Sequence, residues 1–123
     1  MKGLLIVVFG FAALWDSFTT VFGTVEILGE QGLQVTASVI FAAIIAGFLL
    51  STAYIFHKGG LVGQILIVFW FIALGYDLFT SYTGNLLFIM GGKVSDVQTI
   101  VLIGMTILVS SSPILISLIL DDD

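Results

Sequence analysis

The stretch GLLIVVFGFAALWDSFTTVFGTV, Gly3 to Val25, decides how the chain is read. It is long enough to cross a bilayer, which takes about 20 mainly apolar residues, yet it carries one acid, Asp16, near its middle. A soluble helix would bury one face and show polar side chains on the other. This stretch is otherwise almost wholly apolar.

The whole chain follows the same pattern. Of its 123 residues 59% are hydrophobic and 9% charged, against a usual charged share of about 25%, and its mean hydropathy is +1.26. A water-soluble domain of this size could not cover so much apolar surface, so lipid is the expected solvent. Three further runs are long enough to span: Gln34–Phe56, Leu61–Ile89 and Val97–Leu120. The expectation is an all-α integral membrane protein, a single domain of four transmembrane helices in an antiparallel bundle. The connections are short. EILGEQGL (Glu26–Leu33) holds two acids and two glycines, HKGG (His57–Gly60) is a tight turn, and MGGKVSD (Met90–Asp96) ends with Ser95 or Asp96 placed to cap the last helix.

Met1–Lys2 before the first apolar run imitates a signal peptide, but no A-x-A cleavage site follows, and the run is read as the first span. Four spans put the termini and the HKGG turn on one side. That side has Lys2 and Lys58 and the other has Lys93, so the positive-inside rule places the termini in the cytoplasm. The third segment exceeds a perpendicular span. Either it tilts, or it ends near Ser81 and Tyr82–Met90 lies at the interface or re-enters.

Asp16 has a counterpart. WDSFTT (Trp15–Thr20) returns sixty-one residues later as YDLFTS (Tyr76–Ser81), and FGFAALW (Phe9–Trp15) matches FWFIALG (Phe69–Gly75) one residue out of step. The expectation is a duplicated two-helix hairpin, its copies related by an axis along the membrane normal. Asp16, Thr19 and Thr20 lie three and four residues apart and share one helix face, as do Asp77, Thr80 and Ser81. A carboxylate at bilayer depth costs about 2.5–3.5 kcal/mol on insertion scales, so two such placements need compensation. Facing each other, the two sets form an all-oxygen site suited to a hard cation such as Na+ or to a proton. Two carboxylates held together also favour sharing a proton. The competing reading makes the aspartates interhelical or intersubunit contacts, worth about 0.6 kcal/mol each on average.

Other features read as packing. Ser38, Ala42 and Ala46, with Ala43, Gly47 and Ser51 beside them, form a small-residue stripe that admits a close helix or a second subunit. Pro113, in SSSP, frees the carbonyl of Val109 for a serine to satisfy and kinks or hinges its helix. His57 is the only histidine and reads as an interfacial residue, and Glu26 and Glu30 as solvated loop acids or cation attractors at a pore mouth. Trp15 and Trp70 lie deeper than interfacial belts and are expected at helix contacts.

There is no cysteine, no phosphate loop, no HExxH and no GxSxG. No metal, no cofactor and no catalytic residue is expected. The net charge of −5, without arginine, disfavours nucleic acid as a partner. The expected partners are the lipid bilayer, further copies or other membrane subunits, and Na+ or H+. Two functions fit: a small homo-oligomeric ion- or proton-coupled transporter or channel, or a non-catalytic structural subunit of a membrane complex.

Overall fold

The computed structural model describes residues 1–91 and 95–121, without the side chains of Phe88 and Met90. It is all helical: α1 (Lys2–Leu28), α2 (Gly32–Leu50), α3 (Thr52–Lys58), α4 (Gly60–Met90) and α5 (Asp96–Asp121). Four of these, α1, α2, α4 and α5, are long and apolar enough to cross a membrane, the pattern of a multi-pass membrane protein. Lys93, on which the orientation argument leans, lies outside the described residues, as do Asp122 and Asp123.

The helix ends follow local chemistry. At the start of α5, Ser95 N–H donates to Gln98 Oε1 at 2.9 Å and Gln98 N–H donates to Ser95 Oγ at 3.3 Å, a reciprocal capping box. Of the two residues expected to cap this helix, Ser95 is the one that does so. The turn between α3 and α4 needs Gly59 and Gly60, whose φ values of 71° and 70° fall where other residues are strained. Beside it His57 Nδ1 lies 3.8 Å from Asp121 Oδ2, so this turn and the end of α5 share one end of the molecule.

The distribution of side chains is inverted relative to a soluble protein. Phe11, Leu14, Phe71 and Ile100 are at least 60% exposed, whereas Asp16, Thr19, Ser38, Asp77, Thr80, Asn85 and Ser110 are at most 2% exposed. Apolar side chains on the outside are what a lipid solvent would accept. The second group cannot face lipid without losing hydrogen bonds, so it turns inward. An apolar cluster of Ile45, Leu49, Ile55, Trp70 and Ala73 holds α2 and α3 against α4.

Two expectations change in detail. The second apolar run, read as one span over Gln34–Phe56, is two helices divided at Ser51. Neighbours supply what the break leaves open: Ala53 N–H donates to Ser117 Oγ of α5 at 3.0 Å, and Trp70 Nε1 donates to Thr52 Oγ1 at 2.9 Å. A broken helix is tolerated at membrane depth when its freed backbone groups are satisfied in this way. The third run is one continuous helix of 31 residues. At 1.5 Å per residue that is about 46 Å, longer than a bilayer core of about 30 Å, and Asp77 sits well inside it.

Candidate functional site

Asp16 on α1 and Asp77 on α4 are brought together at the centre of the fold, 2% and 1% exposed. Hydrogen bonds cross directly between the two aspartate segments. Each takes a hydroxyl from the opposite helix: Ser81 Oγ donates to Asp16 Oδ1 at 2.7 Å, and Thr20 Oγ1 donates to Asp77 Oδ1 at 2.7 Å. Ser81 and Thr20 each stand four residues after an aspartate, so the pairing is reciprocal.

The reciprocity continues outward. Trp15, one residue before Asp16, donates from Nε1 to Asn85 Oδ1 at 2.8 Å. Tyr76, one residue before Asp77, shares a 2.7 Å hydrogen bond between its hydroxyl and Thr24 Oγ1. Asn85 and Thr24 are each eight residues beyond their own aspartate. Gly23 and Gly84, each seven residues beyond, mark the closest approach. A Cβ on Gly23 would come within 2.7 Å of the Thr80 carbonyl oxygen, and one on Gly84 within 2.8 Å of Thr19 Cβ. The corresponding segments are therefore ten residues long, WDSFTTVFGT (Trp15–Thr24) and YDLFTSYTGN (Tyr76–Asn85).

The sense of the contacts differs from expectation. As α1 advances through Trp15, Asp16, Thr20 and Thr24, its partners on α4 retreat through Asn85, Ser81, Asp77 and Tyr76. Helices related by an axis along the membrane normal would advance together, and nine residues, roughly 13 Å of helix, would then separate Trp15 from Asn85. Phe41 with Tyr76 and Phe48 with Phe69 show α2 opposed to α4 as well, although α1 and α2 are joined by a short turn at residues 29–31.

A third helix completes the site. Ser110 Oγ of α5 donates to Asp16 Oδ1 at 3.1 Å, and Asn85 Nδ2 donates to Thr106 Oγ1 of α5 at 3.2 Å. α5 reaches the pair through the segment that contains Pro113, where Ser112 Oγ takes up the Val109 carbonyl. Sequence reasoning placed that serine but did not connect Ser110 with the aspartates. Asn85, Gly23 and Gly84 were also missed. Extending the match between the two aspartate segments by four residues would have found them.

Not all expected oxygens reach the carboxyls. Thr19 stands one step back, 3.2 Å from Ser81 Oγ, and Thr80 bonds to the Tyr76 carbonyl of its own helix at 2.9 Å. Ser38 and Ala42 are buried as the stripe on α2 implied, and Ala46 is half-buried, whereas Ala43 and Gly47 lie on the outer face. Among the described residues no group of three His, Asp or Glu side chains could hold a metal ion.

Comparison of the chain with protein-family models, with curated proteins and with solved structures found no match. What defines it is therefore its own geometry. It is a helical chain with four helices able to span a membrane, built around two buried carboxyl groups that accept hydrogen bonds from Thr20, Ser81 and Ser110.

Proposed function

We propose that the protein is a small ion-coupled membrane transporter or channel in which Asp16 and Asp77 hold the coupling cation, a proton or Na+. One observation carries the reading: two acids far apart in sequence are buried in one place, with hydroxyls as their hydrogen-bond partners among the described residues. Packing alone would not require a second costly carboxylate in the same place, because asparagine or threonine makes interhelical bonds without a charge. Reciprocal bonding between WDSFTTVFGT and YDLFTSYTGN supports a duplicated segment whose copies face each other in inverted sense, an arrangement used to build midplane ion sites. Four spans enclose little room for a pathway, so the working form is a homo-oligomer in the lipid bilayer.

Reconstitution tests this. Liposomes containing the protein are expected to pass protons or Na+ under an imposed gradient. Asp16→Asn and Asp77→Asn should abolish that flux while the oligomer keeps its elution volume.

A second reading, a non-catalytic structural or assembly subunit, draws on a different observation. The hydrogen bonds around the pair join α1, α4 and α5 of one chain, and a surface groove of about 580 Å³ between α1 and α2 is lined by Thr24 and Tyr76 but by neither aspartate. Wild-type liposomes without flux, combined with disassembly of the Asp→Asn variants, would favour it.

A further inference from the structure

Resting on the transport reading, we infer that the ion held by the pair is a single proton, shared between the carboxyl groups of Asp16 and Asp77, and not a metal cation. The hydrogen-bond inventory leads there. Two carboxyl groups offer four oxygens. Three hydroxyls donate to them, and two of these, Ser81 and Ser110, converge on Asp16 Oδ1. The third, Thr20 Oγ1, is also 2.9 Å from the Asp16 backbone carbonyl, and its one proton serves one acceptor at a time. Asp77 Oδ2 is fully buried and has no hydrogen-bond partner among the described residues. A buried acceptor without a donor costs about 1–3 kcal/mol, and more when charged. The other carboxyl and the Ser110 hydroxyl are its neighbours in the site: Ser110 Oγ and Ser81 Oγ both reach Asp16 Oδ1, and Thr20 Oγ1 bridges Asp77 Oδ1 and the Asp16 carbonyl. A proton placed between the two carboxyls gives the pair the hydrogen bond that its inventory lacks and removes one of two like charges.

Every basic side chain among the described residues lies at a helix end: Lys2 in the first turn of α1, and His57 and Lys58 in the last turn of α3. α2 contains no charged residue. α3 carries His57 and Lys58 only at its last turn, and α5 carries Asp96 and Asp121 only at its ends. α1 carries Lys2 in its first turn and Glu26 near its C-terminal end, and of the two tyrosines of α4, Tyr76 and Tyr82, Tyr76 spends its hydroxyl on Thr24.

The same geometry disfavours a metal ion. A hard cation needs several oxygen lone pairs converging on one point, whereas here the hydroxyls turn their protons towards the carboxyls. The site also cannot widen easily. Gly23 against Thr80 and Gly84 against Thr19 bring the two helix backbones into direct contact beside the pair. A proton needs no added volume.

The test uses purified protein in liposomes loaded with a pH-sensitive dye, under a potassium diffusion potential, in sodium-free buffer. Proton entry is expected without Na+, unchanged when Na+ is added, and reduced by about tenfold or more in Asp16→Asn and Asp77→Asn. Radioactive sodium uptake should match protein-free liposomes. In case a variant fails to fold, the infrared spectrum of the wild type at neutral pH supplies a separate readout. A protonated-carboxyl C=O band that shifts on deuteration is expected. Its absence overturns the shared proton. Sodium uptake that the same variants abolish overturns the proton assignment and leaves the transport reading standing. Flux of neither ion overturns both.

Discussion

A methyl group at Gly23 is the sharpest probe of how the aspartates are held. It would lie 2.7 Å from the Thr80 carbonyl oxygen and 2.9 Å from Thr80 Cα. Comfortable carbon contacts lie at about 3.5–4.0 Å, so Gly23→Ala must part α1 from α4 by roughly 1 Å. The obstacle is backbone and cannot rotate aside. The Thr20–Asp77 and Ser81–Asp16 bonds, both 2.7 Å now, would open beyond the range of about 2.5–3.0 Å that such bonds occupy. Overpacking of this kind costs about 1–3 kcal/mol. Gly84→Ala meets Thr19 in the same way, which makes the two sites interdependent. Once one methyl has separated the helices, the second enters space already opened, so the double variant should cost less than the sum of the singles. Unfolding by sodium dodecyl sulfate in mixed micelles, followed by tryptophan fluorescence, measures this. Gly104→Ala is the control, because nothing lies within 4 Å of its added Cβ. It should be neutral or stabilising by up to about 1 kcal/mol. Gly23→Ala and Gly84→Ala variants as stable as the control, or with additive costs, would refute the close-contact argument.

Ser117→Ala leaves the buried Ala53 N–H at the α2–α3 break without its acceptor; a loss of about 1–3 kcal/mol is expected in the same titration. Ser112→Ala strands the Val109 carbonyl beside Pro113, at a similar cost of about 1–3 kcal/mol. Adding Pro113→Ala should restore most of that loss, because the new N–H at position 113 can reach the same carbonyl; failure of the double variant to recover would count against this account. Trp15→Phe and Tyr76→Phe each remove one outer reciprocal bond and should cost about 0.6 kcal/mol each, typical of interhelical bonds in membranes. In liposomes neither should change ion flux by more than about twofold, because neither side chain donates to a carboxyl.

Much of the architecture was legible in the residues because hydropathy reports transfer into lipid directly. The runs Gly3–Val25, Leu61–Ile89 and Val97–Leu120 differ from α1, α4 and α5 by a few residues at most. The division at Ser51 was not legible. No proline or run of polar residues marks it, and the groups that make it tolerable, Ser117 and Trp70, come from other helices. Pro113 was legible, since the loss of its N–H is covalent.

For the site, the chain by itself determined the inventory: two aspartates at membrane depth, each followed by hydroxyls on one helix face. That much follows from helical periodicity and from the cost of burying charge. Only the tertiary structure decided what they face and in which sense. It set Asp16 against Ser81 and Ser110, Asp77 against Thr20, and the two segments in opposed order. It also left Asp77 Oδ2 without a partner among the described residues. The physical reason is that hydropathy and periodicity act within a helix, whereas pairing depends on where helices cross. That crossing is set by the backbone contacts at Gly23 and Gly84, between residues about sixty positions apart.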